Sequence, residues 1–319
     1  YPKANNPREE LKLKHPFGNS KYYQVSNGKI IFQGTHTVNQ FIYIPPGYMV
    51  VFKAGTQLNF INKAGFLSYS PIHMNGTHEM PITISSSDHS MMGFSVLRAD
   101  KPSNLKHTAF IGLNTLDYKG WVLTGAVTFY DTEVTIENCT IKNSISEDAI
   151  NVIKSHFKMV NCSIIKSASD GFDGDFAVGT IDNCVLENTG NDAIDLSGSQ
   201  VQIANTVING SGDKGISSGE GSIVSVDHLT IDHANIAVAS KDNSSIHLAN
   251  IELANSEIAF AAYRKKDEFG PAQIHAQRCI HKSIGNLILV DLNSSVYVDG
   301  ETYKGVKRIN IDSLYPPIQ

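Results

Sequence analysis

The chain has 319 residues, of which 41% are hydrophobic and 18% are charged, and its formal net charge is −5. This length is enough for one large domain or two small ones. Because the charge is negative and no basic stripe stands out, the composition argues against nucleic-acid binding. No apolar run approaches the ~20 residues that a membrane-spanning helix needs.

The N-terminal segment, residues 1–21, lacks the charged and apolar regions of a secretion signal, so we expect the numbering to begin on a mature or excised fragment. Its stretch NPREELKLKH predicts a short helix. Such a helix would cap the β-rich segments that follow, since an uncovered sheet edge is open to pairing with other chains.

Residues 22–130 consist of short runs rich in β-branched and aromatic residues, such as KIIFQG and GTHEMPITISSS. Pro45, Pro46, Gly55 and Gly76 separate these runs, as turns between strands do. We therefore predict a series of irregular coils made of short strands.

Residues 131–270 contain an internal repeat of 22 residues. The related segments EDAIN, SDGFD, NDAID and DKGIS begin at Glu147, Ser169, Asn191 and Asp213, and the phase continues in NIAVA and EIAFA. A fixed period in the low twenties marks a solenoid, in which each repeat is one coil stacked on its neighbours.

Two columns of residues recur at this period. Large apolar side chains form the column Ile150, Phe172, Ile194, Ile216, Val238 and Phe260. Small residues form the adjacent column Ala149, Gly171, Ala193, Gly215, Ala237 and Ala259. Adjacent residues on a strand point to opposite faces, so we predict that the large column faces the core and the small column faces outward.

A second strand of each coil carries a recurring asparagine, within VTIENCTI, KMVNCSII, GTIDNCVL and VQIANTVI. These asparagines are Asn138, Asn161, Asn183 and Asn205. We predict that they stack inside the solenoid at a buried turn, where each amide pairs with backbone groups and with the next amide.

The asparagine pattern resembles the ladder of right-handed parallel β-helix proteins. Helical solenoids do not fit, because the segments are rich in Val, Ile and Thr and are broken by Gly and Asn. The resemblance covers most of the chain and implies an all-β fold, a right-handed single-stranded parallel β-helix.

Three cysteines, Cys139, Cys162 and Cys184, follow the asparagines in successive coils. We predict that they stack in the core as small apolar residues. No Cys-x-x-Cys pair or paired histidines support a metal site here, and four cysteines do not make a disulfide framework.

Residues 271–319 are predicted to form C-terminal coils and a cap. The stretch VYVDGETYKGVKRINI predicts a hairpin that turns at Asp299-Gly300, followed by a final strand. No linker-like change in composition divides the chain, so we predict one domain, residues 1–319, and a monomer.

Aspartates are concentrated in SDGFDGD and NDAID, on two successive coils. Coils stack ~4.8 Å apart, so Asp173 is predicted to lie between Asn151 and Asp195, with Ser217 next. A second ladder is predicted beside this one, at the turn where each strand begins; its members are Asp148, Asp170, Asp192 and Lys214. Asp175 is predicted to face outward two residues beyond Asp173.

Carboxylates this close repel one another: two at ~5 Å cost on the order of 3 kcal/mol at an effective dielectric of about 20. The cluster therefore requires a cation, raised pKa values, or both. Turn capping explains a single Asp-Gly pair, but two columns in successive coils favour a functional site. Hard oxygen donors favour calcium, and the predicted ligands are Asp170, Asp173, Asp175, Asp192 and Asp195.

Basic residues follow the aspartates in the next coils. Lys214 ends the aspartate ladder, and Lys241 falls in register two coils after Ser197. Arg264 falls in register with Glu220. An acidic patch that becomes basic along a groove predicts an anionic polymer that is bridged by a metal.

This combination resembles the polysaccharide lyases, especially the family 9 pectate lyases, over about three coils. SDGFD followed by NDAID is similar to the coils that supply calcium ligands in that family. Asp170, Asp192 and Asp195 match that pattern, whereas Asn191 replaces one aspartate. The family's lysine, in a Gly-Phe-Lys context on a later coil, is displaced here: the segment reads GIS, with Lys214 three residues before its serine.

The resemblance implies calcium-dependent β-elimination on an acidic, uronate-containing polysaccharide. Calcium would neutralise the carboxylate beside the C5 proton, and a lysine with a lowered pKa would remove that proton. The predicted bases are Lys214 and, second, Lys241. The predicted substrate-binding residues are Arg264, Asp148, Asn151, Ser217 and Glu220. A secreted or cell-surface location is expected for such an enzyme.

Three other functions stay open at this point. A hydrolase resembling the polygalacturonases would use the aspartates as acid and base, although that family's Gly-His-Gly and Arg-Ile-Lys motifs are missing from the sequence. A C5 epimerase would share the first step of the lyase reaction. A non-catalytic glycan-binding or structural module is also compatible, because fold does not determine function.

Overall fold

The computed structural model describes residues 18–314, which form 31 β-strands and one 3-10 helix. The strands wind in about 12 turns of a solenoid, so the predicted parallel β-helix fold is confirmed. The short helix predicted within NPREELKLKH lies outside the described residues. The one helix in residues 18–314 is a single turn of four residues, far shorter than a membrane span.

The strands are distributed evenly along the chain. The N-terminal coils contain β1 (Tyr23–Ser26), β2 (Lys29–Phe32), β3 (Thr35–Val38), β4 (Ile42–Ile44), β5 (Met49–Phe52), β6 (Gln57–Phe60), β7 (Gly65–Ser68), β8 (Ile72–Asn75), β9 (Ile82–Ser85), β10 (Met92–Leu97), β11 (Ser103–Lys106), β12 (Thr108–Ile111), β13 (Leu116–Tyr118) and β14 (Trp121–Leu123). The central coils contain β15 (Gly125–Tyr130), β16 (Val134–Glu137), β17 (Thr140–Ser144), β18 (Asp148–Ile153), β19 (His156–Val160), β20 (Ser163–Ser167), β21 (Asp170–Asp175), β22 (Val178–Asp182), β23 (Val185–Thr189) and β24 (Ile194–Ser197). The C-terminal coils contain β25 (Gln200–Ser211), β26 (Lys214–Gly219), β27 (Ile223–Lys241), β28 (Ser245–Tyr263), β29 (Gln273–Val290), β30 (Ser295–Val298), β31 (Glu301–Lys304) and the 3-10 helix Ile311–Leu314.

The coils from β15 to β23 contribute three strands each, not the two that the sequence pattern indicated, whereas β27 and β28 each run unbroken through a whole coil. The segment VTIENCTI is divided into β16 and β17 at Asn138, whose φ of 54° places it in the left-handed region. Such a residue turns the chain through a corner while its backbone N–H still pairs with the next coil, 3.0 Å from the carbonyl oxygen of Val160.

The 22-residue register is confirmed by the strand pairing. Strands β18, β21, β24 and β26 are parallel neighbours, and Phe172 pairs with Ile150 on one side and with Ile194 on the other. All three side chains are fully buried. Burial of this large apolar column is what holds the stack together.

The small column is also buried, so its predicted outward orientation is wrong. Ala149 and Ala193 belong to the same core cluster as the large residues. The backbone bends here at the start of each strand, which brings both neighbours inside. Space is tight at this bend: a Cβ at Gly171 would lie 2.6 Å from the carbonyl oxygen of Ala193.

The asparagine ladder exists, but its side chains are exposed, so the prediction that they stack inside is wrong. The amide of Asn161 donates to Asn138 Oδ1 at 3.3 Å, and that of Asn183 donates to Asn161 Oδ1 at 2.7 Å. The amide of Asn205 donates instead to Asp182 Oδ1 at 2.9 Å. A left-handed corner residue points outward, and it is the following cysteines, Cys139, Cys162 and Cys184, that are buried, as predicted.

The C-terminal hairpin is confirmed, whereas the final strand is not. β30 and β31 pair in antiparallel orientation around Asp299 and Gly300, which both have positive φ. Residues 306–310 form no strand, and the 3-10 helix follows. The buried Asp291 diverts this segment, because its carboxylate accepts the backbone N–H of Ile309 at 2.9 Å.

Candidate functional site

The aspartates lie on the outer face of the sheet that contains β15, β18, β21, β24, β26 and β27. On this face Asp173 pairs in register with Asn151 on one side and with Asp195 on the other, and Ser217 follows Asp195. The predicted first column is therefore confirmed. We call this surface, from Asn151 to Ser217, the aspartate face.

The predicted second column is also brought together, through hydrogen bonds from the backbone. Asp148 pairs in register with Asp170. The N–H of Asp192 donates to Asp170 Oδ1 at 2.9 Å, and the N–H of Lys214 donates to Asp192 Oδ1 at 3.0 Å. The carboxylates of Asp170 and Asp192 thus each accept a hydrogen bond from the backbone of the next coil, which links these coils through their side chains.

Asn151 separates two of the carboxylates. Its Nδ2 donates to Asp148 Oδ2 at 3.0 Å and to Asp173 Oδ2 at 2.8 Å, and it lies 3.3 Å from Thr124 Oγ1. The residue is buried, and its Oδ1 atom has no hydrogen-bond partner in the structure. The amide thus supplies the positive edge that this pair of carboxylates requires.

A second amide does the same for Asp170. The Nδ2 of Asn191 donates to Asp170 Oδ1 at 2.7 Å. The resemblance to the pectate lyases had shown Asn191 as a replacement for an aspartate; here the replacement provides a hydrogen-bond donor where another carboxylate would add repulsion.

Lys214 lies within the protein, although it was the first predicted base. Its side chain is 2% exposed, and its ammonium lies 3.4 Å from Asp192 Oδ1 and in contact with Asp213. A lysine in this position balances the negative charge of the second column and is closed off from solvent.

Lys241 reaches back over one coil to the aspartate face. Its Nζ lies 3.7 Å from Asp195 Oδ1, and its side chain is 9% exposed. The intervening residue is Gly219, where an added Cβ would lie 3.4 Å from Lys241 Cε. The absence of a side chain at Gly219 leaves the path along which Lys241 extends.

Burial makes several of these carboxyl groups hard to ionise. It raises the pKa of Asp148 to about 6, against opposing hydrogen bonds from Thr124 and Asn151. Burial and the charge of Asp192 raise the pKa of Asp170 to about 7. Burial, followed by the charges of Asp148 and Asp175, raises the pKa of Asp173 well above its ordinary value. The pKa values of Asp175 and Asp192 are raised as well, mainly by burial.

The lysines at the face are shifted in opposite directions. Burial lowers the pKa of Lys241, but the carboxylates of Asp195 and Asp192 outweigh this, so its pKa is raised. Burial lowers the pKa of Lys265, and the positive charges of Lys241 and Lys214 lower it further. Lys241 is therefore protonated at neutral pH, whereas Lys265 loses its proton at a lower pH than an ordinary lysine does.

The remaining predicted residues lie at the rim. Arg264 pairs with Asp267, at 3.4 Å between Nη2 and Oδ1. Glu220 pairs with Lys266, and Asp242 accepts the backbone N–H groups of the loop that begins after Arg264. Arg264 and Glu220 thus form separate ion pairs at the rim, and the negative charge of Glu220 contributes to the raised pKa of Asp175.

The oxygen donors of the face are of the type that calcium prefers. However, no group of three or more His, Cys, Asp or Glu side chains in residues 18–314 is arranged to hold a metal ion. Amide and ammonium groups already contact Asp148, Asp170, Asp173, Asp192 and Asp195. The calcium prediction stays a prediction.

Three residues at the site, Thr124, Asp213 and Lys265, were not named as site residues from the sequence, and Asn191 was noted there only as the replacement for an aspartate. Asn191 and Asp213 occupy the position just before Asp192 and Lys214 in the repeat, so their periodicity was a usable signal. Thr124 and Lys265 come from segments without a period, and no sequence signal placed them here.

No protein-family model matches the sequence, and no curated protein matches it. Among solved structures, the chain is similar to the periplasmic alginate epimerase AlgG, with 12% identity over 91% of this chain and 81% of that one and a TM-score of 0.45. It is similar to an alginate lyase from Paenibacillus sp. str. FPU-7, with 12% identity over 80% and 93% and a TM-score of 0.41. The catalytic domain of a GH87 alpha-1,3-glucanase follows, with 13% identity over 78% of this chain and a TM-score of 0.37; the chain spans 61% of that domain. At these identities the likeness concerns the fold alone.

Proposed function

We propose that this protein is an enzyme that cleaves an acidic polysaccharide at the aspartate face by acid–base hydrolysis of a glycosidic bond. One observation carries the proposal. Asp173, whose pKa is raised well above its ordinary value, lies in register beside Asp195, which is ion-paired with Lys241. A carboxylic acid next to a carboxylate is the pair that glycosidases need.

Asp173 is the general acid. Asn151 donates a hydrogen bond to one of its oxygens, which orients the carboxyl group and leaves the other oxygen for the substrate. Because its pKa is raised, the group is protonated at a pH where an ordinary aspartate is ionised. It donates that proton to the leaving oxygen of the glycosidic bond.

Asp195 is the nucleophile. Neighbouring parallel strands lie ~4.8 Å apart, which places two in-register carboxyl groups near the ~5 Å separation of retaining glycosidases. Asp195 attacks the anomeric carbon as Asp173 protonates the leaving group. Asp173, now ionised, then takes a proton from the water that releases the sugar from Asp195. The product is expected to retain its anomeric configuration.

The charge of the rim favours an acidic substrate. The ammonium group of Lys241 lies beside Asp195, and the exposed Lys265 lies near enough to feel its charge. An incoming uronate would meet these cations on the C-terminal side of the aspartate pair. Protonation of Asp173 removes a negative charge that would otherwise repel it.

Calcium-dependent β-elimination, the reaction implied by the pectate lyase resemblance, is the second candidate. The observation that favours it is the lowered pKa of Lys265, because a lysine must lose its proton to act as a base. Lys241 has a raised pKa and Lys214 is enclosed, so neither predicted base fits this role as well. In this reaction Lys265 would take the C5 proton, the C4–O bond would break as the C4=C5 double bond forms, and the leaving oxygen would take a proton from solvent. The aspartates of the face would hold calcium, which would supply positive charge to neutralise the substrate carboxylate.

A panel of uronate and neutral polysaccharides tests the two reactions together. Hydrolysis releases reducing ends without ultraviolet absorbance, whereas elimination creates an absorbing double bond. We expect reducing ends without absorbance, unchanged by a calcium chelator. Absorbance that requires calcium and disappears in Lys265→Ala would establish the second candidate. Retention of a polysaccharide on a column with no bond cleavage would show a binding module and contradict both.

A further inference from the structure

The structure covers the aspartate face at both of its ends. From this we propose that the enzyme engages the end of a glycan chain, or a short oligosaccharide, and not the interior of a long polymer. The proposal rests on the function proposed above and names the form of substrate that the site admits.

At the N-terminal end, the hairpin of β13 and β14 lies on the same outer face. Leu116 is fully buried in a cluster with Leu67 of β7, Leu97 of β10 and Tyr69, the residue that follows β7. The ring of Tyr118 stacks on that of Phe41, with centroids 3.8 Å apart and planes 9° from parallel. Aromatic and apolar contacts thus hold the hairpin against the outer face of the sheet. There it covers the coils on the N-terminal side of the aspartates.

The cover extends as far as the aspartates themselves. Thr124, the residue that follows β14, lies 3.3 Å from the Asn151 amide nitrogen. Asn151 is 1% exposed even though it lies on the outer face. The hairpin therefore forms one wall of the site.

At the C-terminal end, the segment that leads into the 3-10 helix covers the face again. Ile309, Ile311 and Leu314 pack on a cluster that includes Ala239 and Tyr263. The segment is held by Asp291, which accepts the Ile309 N–H at 2.9 Å and lies 3.4 Å from Arg308 Nη1. Beside this cover, Ser217 is fully buried.

Between the two covers, the aspartate face opens over two coils. Of its central column only Asp173 and Asp195 reach solvent, with Asp175 and Ser197 beside them. Two strand spacings give an opening of roughly 10 Å along the solenoid axis. A long polymer laid along the axis would run into a wall on each side, so a chain end is the form that fits.

Unpaired polar atoms lie at both limits of this opening. Asn151 Oδ1 and Ser217 Oγ are buried and have no hydrogen-bond partner in the structure. Buried polar groups are rarely left unpaired, and these two lie beneath the two covers that bound the opening. They flank the catalytic pair in the same column, one coil before Asp173 and one coil after Asp195.

Binding stoichiometry tests the proposal without relying on turnover. Size-fractionated chains of one polyuronate are titrated against the Asp173→Asn protein by calorimetry. End recognition predicts that the number of protein molecules bound per glycan chain stays at one as the chain lengthens. A number that grows in proportion to chain length would overturn it, because internal segments would then be bound.

Product analysis on the wild-type protein gives an independent test. We expect short products from the start of the reaction and a slow fall in viscosity of a long polymer. An early collapse of viscosity, or cleavage of a cyclic oligosaccharide that has no ends, would contradict end recognition while leaving hydrolysis intact. No cleavage and no binding of any glycan would instead overturn the proposed function and this inference with it.

Shortening the hairpin removes one wall of the site and tests whether this wall restricts binding to the end of a glycan chain. Replacing residues 117–122 by two glycines should make viscosity fall about tenfold faster at equal bond cleavage. The more conservative Tyr118→Ala, which removes the stack on Phe41, should shift the products in the same direction. If both folded variants keep the wild-type product pattern, the hairpin is not the barrier and the inference is wrong.

Discussion

Asn183 and Asp173 lie on the same coil and recur with the same period, yet their surroundings differ. Asn183 is exposed at a left-handed corner, and its amide contacts Asn161 at 2.7 Å. Asp173 lies on the sheet face, where burial and neighbouring charges raise its pKa. The asparagine column consists of exposed neutral amides, and its amide-to-amide hydrogen bonds end at Asn183. The aspartate column carries carboxyl groups that are partly or fully buried.

The comparison shows how two repeated columns can serve different purposes. An exposed amide ladder gains little from each hydrogen bond, because water competes for it. Each hydrogen bond or ion pair to a buried carboxylate stabilises the folded state, and a missing partner destabilises it, because the buried charge is then left uncompensated. The structure accordingly surrounds the aspartates with Asn151, Asn191, Lys214 and Lys241, whereas the asparagine side chains of the ladder are left exposed.

The largest expected effect is on catalysis. Asp173→Asn and Asp195→Asn should each reduce the hydrolysis rate by roughly 10²–10⁴-fold, because the first removes the acid and the second the nucleophile. Release of reducing ends measures the rate, and circular dichroism checks the fold. Asp182→Asn is the matched control, since this aspartate pairs with the exposed ladder through Asn205. If all three variants lost the same amount of hydrolysis activity, the aspartate column would have no special role in catalysis compared with the asparagine ladder.

The next effect is on stability. Asn151→Asp places a third carboxyl group between Asp148 and Asp173 in a buried position, and should destabilise the protein by roughly 2–4 kcal/mol at pH 8. The loss should shrink as the pH falls and the carboxyls become protonated. Asn183→Asp, on the ladder, should cost less than about 1 kcal/mol at either pH. Denaturant unfolding measures the free energy of unfolding of both variants. Similar losses of stability would contradict the predicted difference between the two columns.

The pH dependence of stability should also come from the face. The pKa values of Asp148 and Asp170 are raised to about 6 and about 7, so the folded state holds these protons more tightly than the unfolded state. Their contribution to stability is fully present below the unfolded pKa near 3.8 and is lost as the pH rises through 6 to 7. Asp170→Asn keeps an acceptor oxygen and should raise stability at pH 8 relative to wild type, on the order of 1–3 kcal/mol. Thermal unfolding at pH 5 and pH 8 measures this, and a wild type that is more stable at pH 8 would contradict it.

The smallest effect is expected on the ladder. Asn183→Ala should cost about 1 kcal/mol, which combines an exposed hydrogen bond with the strain of a left-handed alanine. Asn183→Gly should cost less than Asn183→Ala, because glycine adopts positive φ freely. If Asn183→Ala lowered the free energy of unfolding as much as Asn151→Asp does, the ladder would contribute more to stability than its exposed hydrogen bonds predict.

The sequence predicted positions that depend on equal coil length. Asn151, Asp173, Asp195 and Ser217 were placed in one column correctly, because each coil has the same number of residues and the strands are parallel. The period could not show which side of the sheet a column faces at a bend, and so the small column and the asparagines were assigned to the wrong side.

Residues from aperiodic segments could not be placed in advance. Thr124 arrives on a hairpin, and Lys265 on a loop held by Asp242, and neither segment repeats. The role of Lys241 depended on the reach of a long side chain across Gly219, which register alone does not determine. The column that carries the chemistry was thus foreseeable, whereas the groups that border it depend on tertiary packing.

The solenoid formed by the described residues has an antiparallel strand pair at each end. β1 pairs with β2, and β31 with β30, in antiparallel orientation, while the coils between them are joined by parallel pairing. A second molecule that approached the C-terminal end would meet the reversed strand β31, whose exposed edge carries Glu301 and Lys304. Charged, reversed edges disfavour strand addition, so β31 is a poor template for pairing with a strand of a second molecule.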